Sequence, residues 1–569
     1  MIIKDGVYMD SVDFTSEDLL SETVGDFVDM VIEEHQDQPA FSCILPSGHK
    51  TAMTYREMGQ ASDAVAAYLR EVIGMKSGEV VALMAPNIMS YPLIATGALK
   101  AGLRLTNINP LYTAEEANHQ LKDSGAKVMF VVDVFGDKLA EATADTNVEK
   151  IFALSLVDMY PLVTRKILGF AMKNIKKIIP APTRPFNGRF DQILKQGHRL
   201  VQGGITVKSY RQGQKPEDVA IYQYTGGTTG RSKGAELTHS NIVSNISQAN
   251  KRNTKVLSKE DHTMMLVLPL YHVYAFAAGF LSSLKSGTHL VLVPVPRPLV
   301  NIKQVFDQFD ITVMPGVNTL YLGLLHEKWF KENPPTKLKY CFSGASPLQP
   351  AVSKEWEELT GVAIYEGYGL TESTCITSSM DLSKPPRKGS VGTLLPGTKA
   401  RIVNSDGENM PVGEVGELWL SGPQIMRGYL NRPDVNAEAL ADGWLRTGDV
   451  AKFDEDGYLY IVDRIKDMVI VSGFNVYPTD IEAVMTKSDI IADAAVVGVP
   501  DAETGEKLIA YVIPKKEGLT AAEVIEECRI HLTGYKVPKV IRFIDEMPKS
   551  PVGKVLRREL RDKALAEET

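Results

Sequence analysis

Short apolar runs rich in β-branched residues recur along most of the chain with helical segments between them: Val80 to Ala85, Val128 to Val132, Met265 to Leu268, Leu290 to Val293 and Val313 to Pro315. That alternation is the pattern of α/β layers. Near Asp463 the texture changes. Short strands (Leu459 to Val462, Met468 to Val471, Ala494 to Val499, Leu508 to Ile513) now alternate with only two clear helices. The sequence therefore reads as a large N-terminal multi-layer α/β domain, residues 1–463, followed by a smaller C-terminal α+β domain, residues 464–569. Capping boxes are predicted at Thr479 to Glu482 and Thr520 to Glu523, where a hydroxyl and a carboxylate satisfy reciprocal backbone N–H groups. The length of 569 residues agrees, since one compact core fills well below that size.

Composition excludes several classes. With 44% hydrophobic and 23% charged residues, the chain is not collagenous, coiled-coil or largely disordered. A formal charge of −8 gives no global attraction to nucleic acid, so an anionic partner must be met by a local site. Cys43, Cys341, Cys375 and Cys528 lack CxxC or CxxH spacing, which argues against a disulfide framework or a cysteine zinc site and for a reducing, cytoplasmic setting. Asp5 and Asp10 stand where a signal peptide needs an apolar core. Met264 to Leu284 is uncharged, but Pro269, Tyr271, His272, Tyr274, Ser282 and Ser283 interrupt it; a buried strand, a turn and a buried helix are expected, not a membrane span.

Residues 161–180 depart from the average charge. Arg165, Lys166, Lys173, Lys176 and Lys177 occur there without an acid and fall on one side of a helix, while Val163, Ile167, Leu168, Phe170, Ile175, Ile178 and Ile179 occupy the rest. Such a helix suits reversible contact with an anionic membrane surface, each basic side chain contributing about 1 kcal/mol. A helix packed on the core with its basic edge in water fits the same pattern.

The strongest chemical signal is Tyr224-Thr-Gly-Gly-Thr-Thr-Gly-Arg-Ser-Lys-Gly234. Gly226, Gly227 and Gly230 lack the Cβ atoms that would hold a phosphate away from backbone N–H groups. Thr225, Thr228 and Thr229 add hydroxyl donors, and Lys233 adds a cation. A polyphosphate is the expected ligand. The pattern GxxxxGK[ST] cannot be laid over these glycines, which disfavours a Walker-type phosphotransferase.

This loop resembles the YTSGTTGxPKG signature of the adenylate-forming superfamily, which comprises acyl-CoA synthetases, acid-adenylating domains and firefly luciferase. The likeness continues through Asn107-Ile-Asn-Pro-Leu-Tyr-Thr113, Leu268-Pro-Leu-Tyr-His272, Ser343-Gly-Ala-Ser-Pro347, Tyr368-Gly-Leu-Thr-Glu-Ser373, Leu445-Arg-Thr-Gly-Asp449, Asp463-Arg-Ile-Lys-Asp467 and Pro548-Lys-Ser-Pro-Val-Gly-Lys554. Two positions depart from the common loop, Gly226 for serine and Ser232 for proline, and TGGTTG looks like the variant of bacterial long-chain fatty acid CoA ligases.

The resemblance implies two half-reactions, acyl-AMP formation from a carboxylate and ATP, then displacement of AMP by CoA. It implies Lys554 as the catalytic cation between carboxylate and α-phosphate, Glu372 as ligand to Mg2+, and Thr371 on the α-phosphate. Tyr368 is expected against adenine, with Gly344, Ala345 and Ser346 admitting the base and Glu366, Gly367 and Gly369 completing its pocket. Asp449 is expected on the ribose hydroxyls, with Arg464 as ribose or phosphate partner. Lys466 takes the hinge position of a mobile C-terminal domain. Rotation about it would replace Lys554 by the CoA-binding loop Ser472, Gly473 and Phe474. His272 matches a gate between acyl pocket and CoA channel, although a satisfied core histidine fits equally.

Val273 follows His272 where amino-acid-activating relatives place aspartate, so an uncharged acid is implied. Val273, Phe276, Gly279, Gly316 and Val317, with the alanines around them, are expected to wall an alkyl tunnel in which each buried methylene contributes about 0.8 kcal/mol. The leading reading is a long-chain fatty acid CoA ligase. A medium-chain or aryl acid ligase, an acyl-AMP ligase that delivers to a carrier protein, and a nonenzymatic nucleotide-binding scaffold stand as alternatives. A homodimer is compatible with the chain.

Overall fold

The computed structural model describes residues 2–225, 232–257, 261–472, 474–501, 503–550 and 553–568. Among them the strands form four sheets. A seven-stranded sheet is built on Val80–Met84, which pairs in parallel with Arg104–Asn107 on one side and Val128–Val132 on the other. In a nine-stranded sheet, Pro39–Ile44, His289–Leu292, Thr263–Leu266, Val313–Gly316, Tyr340–Ser343 and Ile364–Tyr368 follow one another as parallel neighbours. Every residue of Val80–Met84 and Val128–Val132 is buried, as strands covered on both faces require. The α/β reading of the sequence is thus the observed architecture.

Helices Tyr55–Ala67, Ser90–Lys100 and Phe190–Gln202 belong to the same apolar core as strands of both large sheets. Their close approach depends on Gly197: a Cβ there would lie 1.9 Å from the Ala64 carbonyl oxygen. No side chain fits that gap.

A third sheet, six-stranded and antiparallel along Lys399–Val403, Gly416–Ser421, Leu445–Phe453 and Leu459–Arg464, completes the N-terminal part. A single turn, Ile465–Asp467, separates its last strand from Val469–Val471, which belongs to a smaller five-stranded sheet with Phe474–Val476, Ile491–Asp501, Gly505–Pro514 and Val540–Phe543. The box at Thr520 forms as predicted, its hydroxyl accepting from the Glu523 amide and Glu523 answering at the Thr520 amide. The box at Thr479 does not. That helix is Pro478–Met485, the Thr479 amide donates to Asp463 at 2.9 Å, and Glu482 is taken by Arg557 at 2.5 Å and by the Val496 amide. A guanidinium and two tertiary partners outcompete a local cap.

Met264 to Leu284 is a strand, a turn and a buried helix, Tyr274–Leu281 continued by Ser282–Leu284. Among the described residues no helix is long and apolar enough to cross a membrane. The segment 161–180 packs only by its narrow side. Leu168 and Met172 touch the core, Arg165 reaches Asp191 at 3.4 Å, and Leu162, Val163, Ile167, Phe170 and Ile175 are 57–71% exposed. Substituting Gly197 by alanine should force the helices apart and lower stability by about 1–3 kcal/mol, read as a fall in midpoint on chemical denaturation.

Candidate active site

The C-terminal ends of the parallel strands in the nine-stranded sheet open onto one elongated cavity of about 1120 Å³. That edge is where open α/β sheets place ligands. Ile364–Tyr368 and the turn Thr371–Ser373 bring Glu366, Gly367, Tyr368, Gly369, Thr371 and Glu372 to its wall; the chain after Tyr340–Ser343 adds Gly344 and Ala345. Thr225 and Lys233, the two described ends of the phosphate-type loop, line it as well. Gly226, Gly227, Thr228, Thr229 and Gly230 lie outside the described residues, as does Gly473. Ser346 turns its hydroxyl into a buried position without a partner.

One carboxylate joins two sheets at this cavity. Asp449, 2% exposed, accepts from the Tyr368 hydroxyl at 2.5 Å through one oxygen and pairs with Arg464 at 3.0 Å through the other. Burial and the Asp449 charge drive the Tyr368 hydroxyl far above its usual range. Around that pair gather further cations. Lys466 and Lys554 line the same space, and loss of hydration together with the Arg464 charge pulls the Lys554 ammonium down to about 8 and lowers Lys466 also. His272, half-buried at the cavity wall, loses hydration and faces the Lys554 charge, so it falls to about 4 and is neutral near pH 7. Burial pushes the Glu366 carboxyl up to about 7, partly offset by the Leu348 and Gly389 amides.

Lys554 reaches this cavity from the smaller domain on a hairpin: its amide donates to the Ser550 hydroxyl and its carbonyl accepts from the Ser550 amide at 2.7 Å. Gly553 seats the hairpin. Its φ is +77°, and a Cβ there would lie 2.2 Å from Thr319 Oγ1 of the N-terminal part. Lys549 anchors to Asp493 at 2.9 Å, and Asp493 in turn accepts from Gln349 across the domains. Ser472 and Phe474 are not on the cavity wall; Phe474 is 55% exposed and stacks on Tyr535 at 4.6 Å.

Several contributors carry no sequence signal of their own. Tyr429 donates to Glu372 at 2.5 Å and lies beneath Lys233, whose Nζ is 4.3 Å from the ring centre. Pairing of residues 427–430 with the strand Lys233–Thr238 puts it there. The turn that carries His272 is held by Asn87, whose amide donates to the Leu266 and Leu268 carbonyls and whose oxygen accepts from the Leu270 amide. Gln223, bonded to Asn107, donates to the Tyr271 carbonyl at 2.8 Å. A lone asparagine or glutamine in an apolar stretch reads as an ordinary turn or core residue.

The acyl wall differs from the expected one. Val273 and Gly279 line the cavity, but Phe276 does not: it sits on the opposite face of its helix, edge-on to Phe280, which meets Phe41. Gly316 faces the Tyr321 ring and Val317 lies under Gly553, so Pro315 represents that strand at the wall. The helix instead presents Tyr274, Ala278, Gly279, Ser282, Ser283 and Ser286, a spacing that marks one face. Cys375 also borders the cavity, and burial pushes its thiol up to about 12.

The AMP-binding enzyme family model matches residues 28–430, and the AMP-binding enzyme C-terminal domain model matches residues 480–554. A long-chain-fatty-acid–CoA ligase of Yersinia pestis is 40% identical over 532 residues, 93% of this chain and 92% of that protein. Among solved structures, ATP-bound MatB from Rhodopseudomonas palustris is 26% identical with a TM-score of 0.79, covering 95% of this chain and 98% of that one. The anthranilate CoA ligase AuaEII in complex with anthranoyl-AMP shares the fold at a TM-score of 0.84 with 23% identity, covering 98% of this chain and 100% of that one. Asn87→Ala would leave three buried backbone groups unpaired; an unfolding free energy lower by about 2–4 kcal/mol is expected from denaturant titration.

Proposed function

The chain belongs to the AMP-binding enzyme family, and on that premise we propose that it is an ATP-dependent, AMP-forming fatty acid CoA ligase that favours long chains. The observation that carries this reading is the meeting of Lys554 and Arg464 with Asp449 at a cavity that also holds Glu372 and Thr371. The relatives named as long-chain-fatty-acid–CoA ligases, about 40% identical, support the class of acid.

In the first step a carboxylate oxygen bonds to the α-phosphorus of ATP and the bond to the bridging oxygen breaks, releasing pyrophosphate. Two anions must approach each other. Lys554, already short of hydration, gains most when that negative charge arrives, and Thr371 donates to the α-phosphate. Thr225 and Lys233, with the glycines and threonines between them, hold the outer phosphates. Tyr368 lies against adenine, and Asp449 accepts from the ribose with the lone pairs that Tyr368 and Arg464 leave open. Glu372 suits Mg2+, which usually takes one or two carboxylates together with phosphate oxygens and water; when bound, the ion offsets phosphate charge.

In the second step the CoA sulfur bonds to the acyl carbon, the bond to AMP breaks and the thiol proton is released. Residues 1–463 and 464–569 act as two units that turn about Lys466. The turn withdraws Lys554 and brings Ser472, Gly473 and Phe474 to the pantetheine arm, while neutral His272 gates the passage from the acyl tunnel. The exposed apolar and basic surface of 161–180 makes reversible contact with the anionic face of a membrane, the source of the acid.

Pyrophosphate release over a panel of carboxylates, with and without CoA, tests the reading; turnover that ignores CoA would favour delivery to a carrier protein. Lys554→Ala should lower adenylation by at least about 10²-fold and largely spare thioester formation from supplied acyl-AMP. In the wild type the charged form of Lys554 is lost as pH rises through about 8. The kcat/KM for pyrophosphate release should therefore fall on the alkaline side, whereas acyl transfer from supplied acyl-AMP keeps its rate. Co-sedimentation with phosphatidylglycerol vesicles should drop severalfold when Ile167 and Phe170 are replaced by serine, and an unchanged bound fraction would remove the membrane contact.

A further inference from the structure

The distal part of the cavity is not the apolar sleeve that an unsubstituted alkyl chain requires. Along the helix that walls it, the lining changes with distance from His272. Ala278 and Gly279 come first, and Ser282, Ser283 and Ser286 follow one and two turns deeper. Thr288, just before the neighbouring strand and 4% exposed, adds a further hydroxyl beside Ser283, to whose carbonyl its amide donates. Asn253, from the helix His239–Leu257, contributes an amide oxygen that is buried without a hydrogen-bond partner. Ser283 is 8% exposed, and the contact its hydroxyl makes is to the Met264 sulfur at 3.7 Å, a weak acceptor.

This polar end lies well away from the reacting carboxylate. His262 and Met264 line this end at the start of the strand Thr263–Leu266, which spans about 13 Å at strand rise, and the turn carrying His272 follows its other end. Hydroxyls and an amide oxygen kept from bulk water lose hydrogen bonds to water and regain none from a methylene chain. Placed together at one depth, they match a ligand that has a polar group at that depth.

Resting on the fatty acid ligase reading above, we propose that the preferred acid of this protein carries an oxygen substituent, a hydroxyl above all, toward the far end of its acyl chain. The hydroxyl would donate to Asn253 Oδ1 and accept from Ser283 or Thr288. Hydroxyls and amides meet there with the imidazole of His262, and among the described residues no lysine or arginine lines that end, so a hydroxyl or keto oxygen fits better than a second carboxylate in a poorly hydrated space. Ala278, small at the entrance to this region, leaves width for a substituted chain, whereas Gly279 admits Leu266 against the helix.

The test compares kcat/KM for palmitate and ω-hydroxypalmitate on the full-length protein, by pyrophosphate release with CoA present. The hydroxy acid is expected to exceed palmitate by about tenfold, the worth of one or two net hydrogen bonds. The near-isosteric Asn253→Leu, Ser283→Ala, Thr288→Val variant, which removes all three partners, should bring the ratio toward one, chiefly by lowering the KM for palmitate. Equal constants for the two acids in the wild type, a preference for palmitate, or a preference that survives in the variant would overturn the inference while leaving the ligase reading intact. Silence toward every acid of the panel would instead overturn the ligase reading and the inference with it.

Discussion

Arg464, Lys466 and Lys554 meet at a space where water is scarce, and Asp449 and Asp467 offset part of their charge. Such an arrangement is costly without an anion and becomes favourable with one. The depressed ammonium of Lys554 reflects first its loss of hydration and then the Arg464 charge. A polyphosphate and a carboxylate, which repel each other in solution, are the kind of pair that restores the balance. Every other part of the site can be read as keeping these cations in place until that happens.

The sheets supply the placement. Parallel strands end together, so backbone from four successive strands reaches one edge and side chains separated by about a hundred residues become neighbours. The antiparallel third sheet then contributes Asp449 and Arg464 from adjacent strands, directly opposite in register. A single turn later the chain enters the smaller domain. Its hairpin returns Lys554 to the same spot through a contact that only glycine allows at position 553. A seat so narrow holds by shape and a few polar links, not by a broad apolar interface.

Much of this was legible in the sequence because motifs with dense chemistry mark themselves. Glycines, threonines and a lysine in one loop, or a lysine closing the run from Pro548 to Lys554, have few bland explanations. The strands of the large sheets were legible for a different reason, since burial on both faces leaves an unbroken apolar run. What escaped were residues whose role exists only after folding. Asn87 and Gln223 serve backbone groups some 50 to 180 positions away, and nothing local announces it. Thr479 and Glu482 had the spacing of a cap, but Asp463 and Arg557 hold them more strongly. Phe276 is apolar and close to His272 in sequence, but the helix turns it toward Phe280, and Ser282 and Ser283, which read as interruptions, face the cavity instead.

Cys375 borders the space in which an activated acyl group would be made. A thioester to the enzyme itself would be a dead end, trapping each molecule after one turnover. Burial keeps its sulfur protonated, with the thiol pushed up to about 12. The cavity thus tolerates an intrinsic nucleophile at its margin by starving it of charge, and leaves the incoming thiol without a rival.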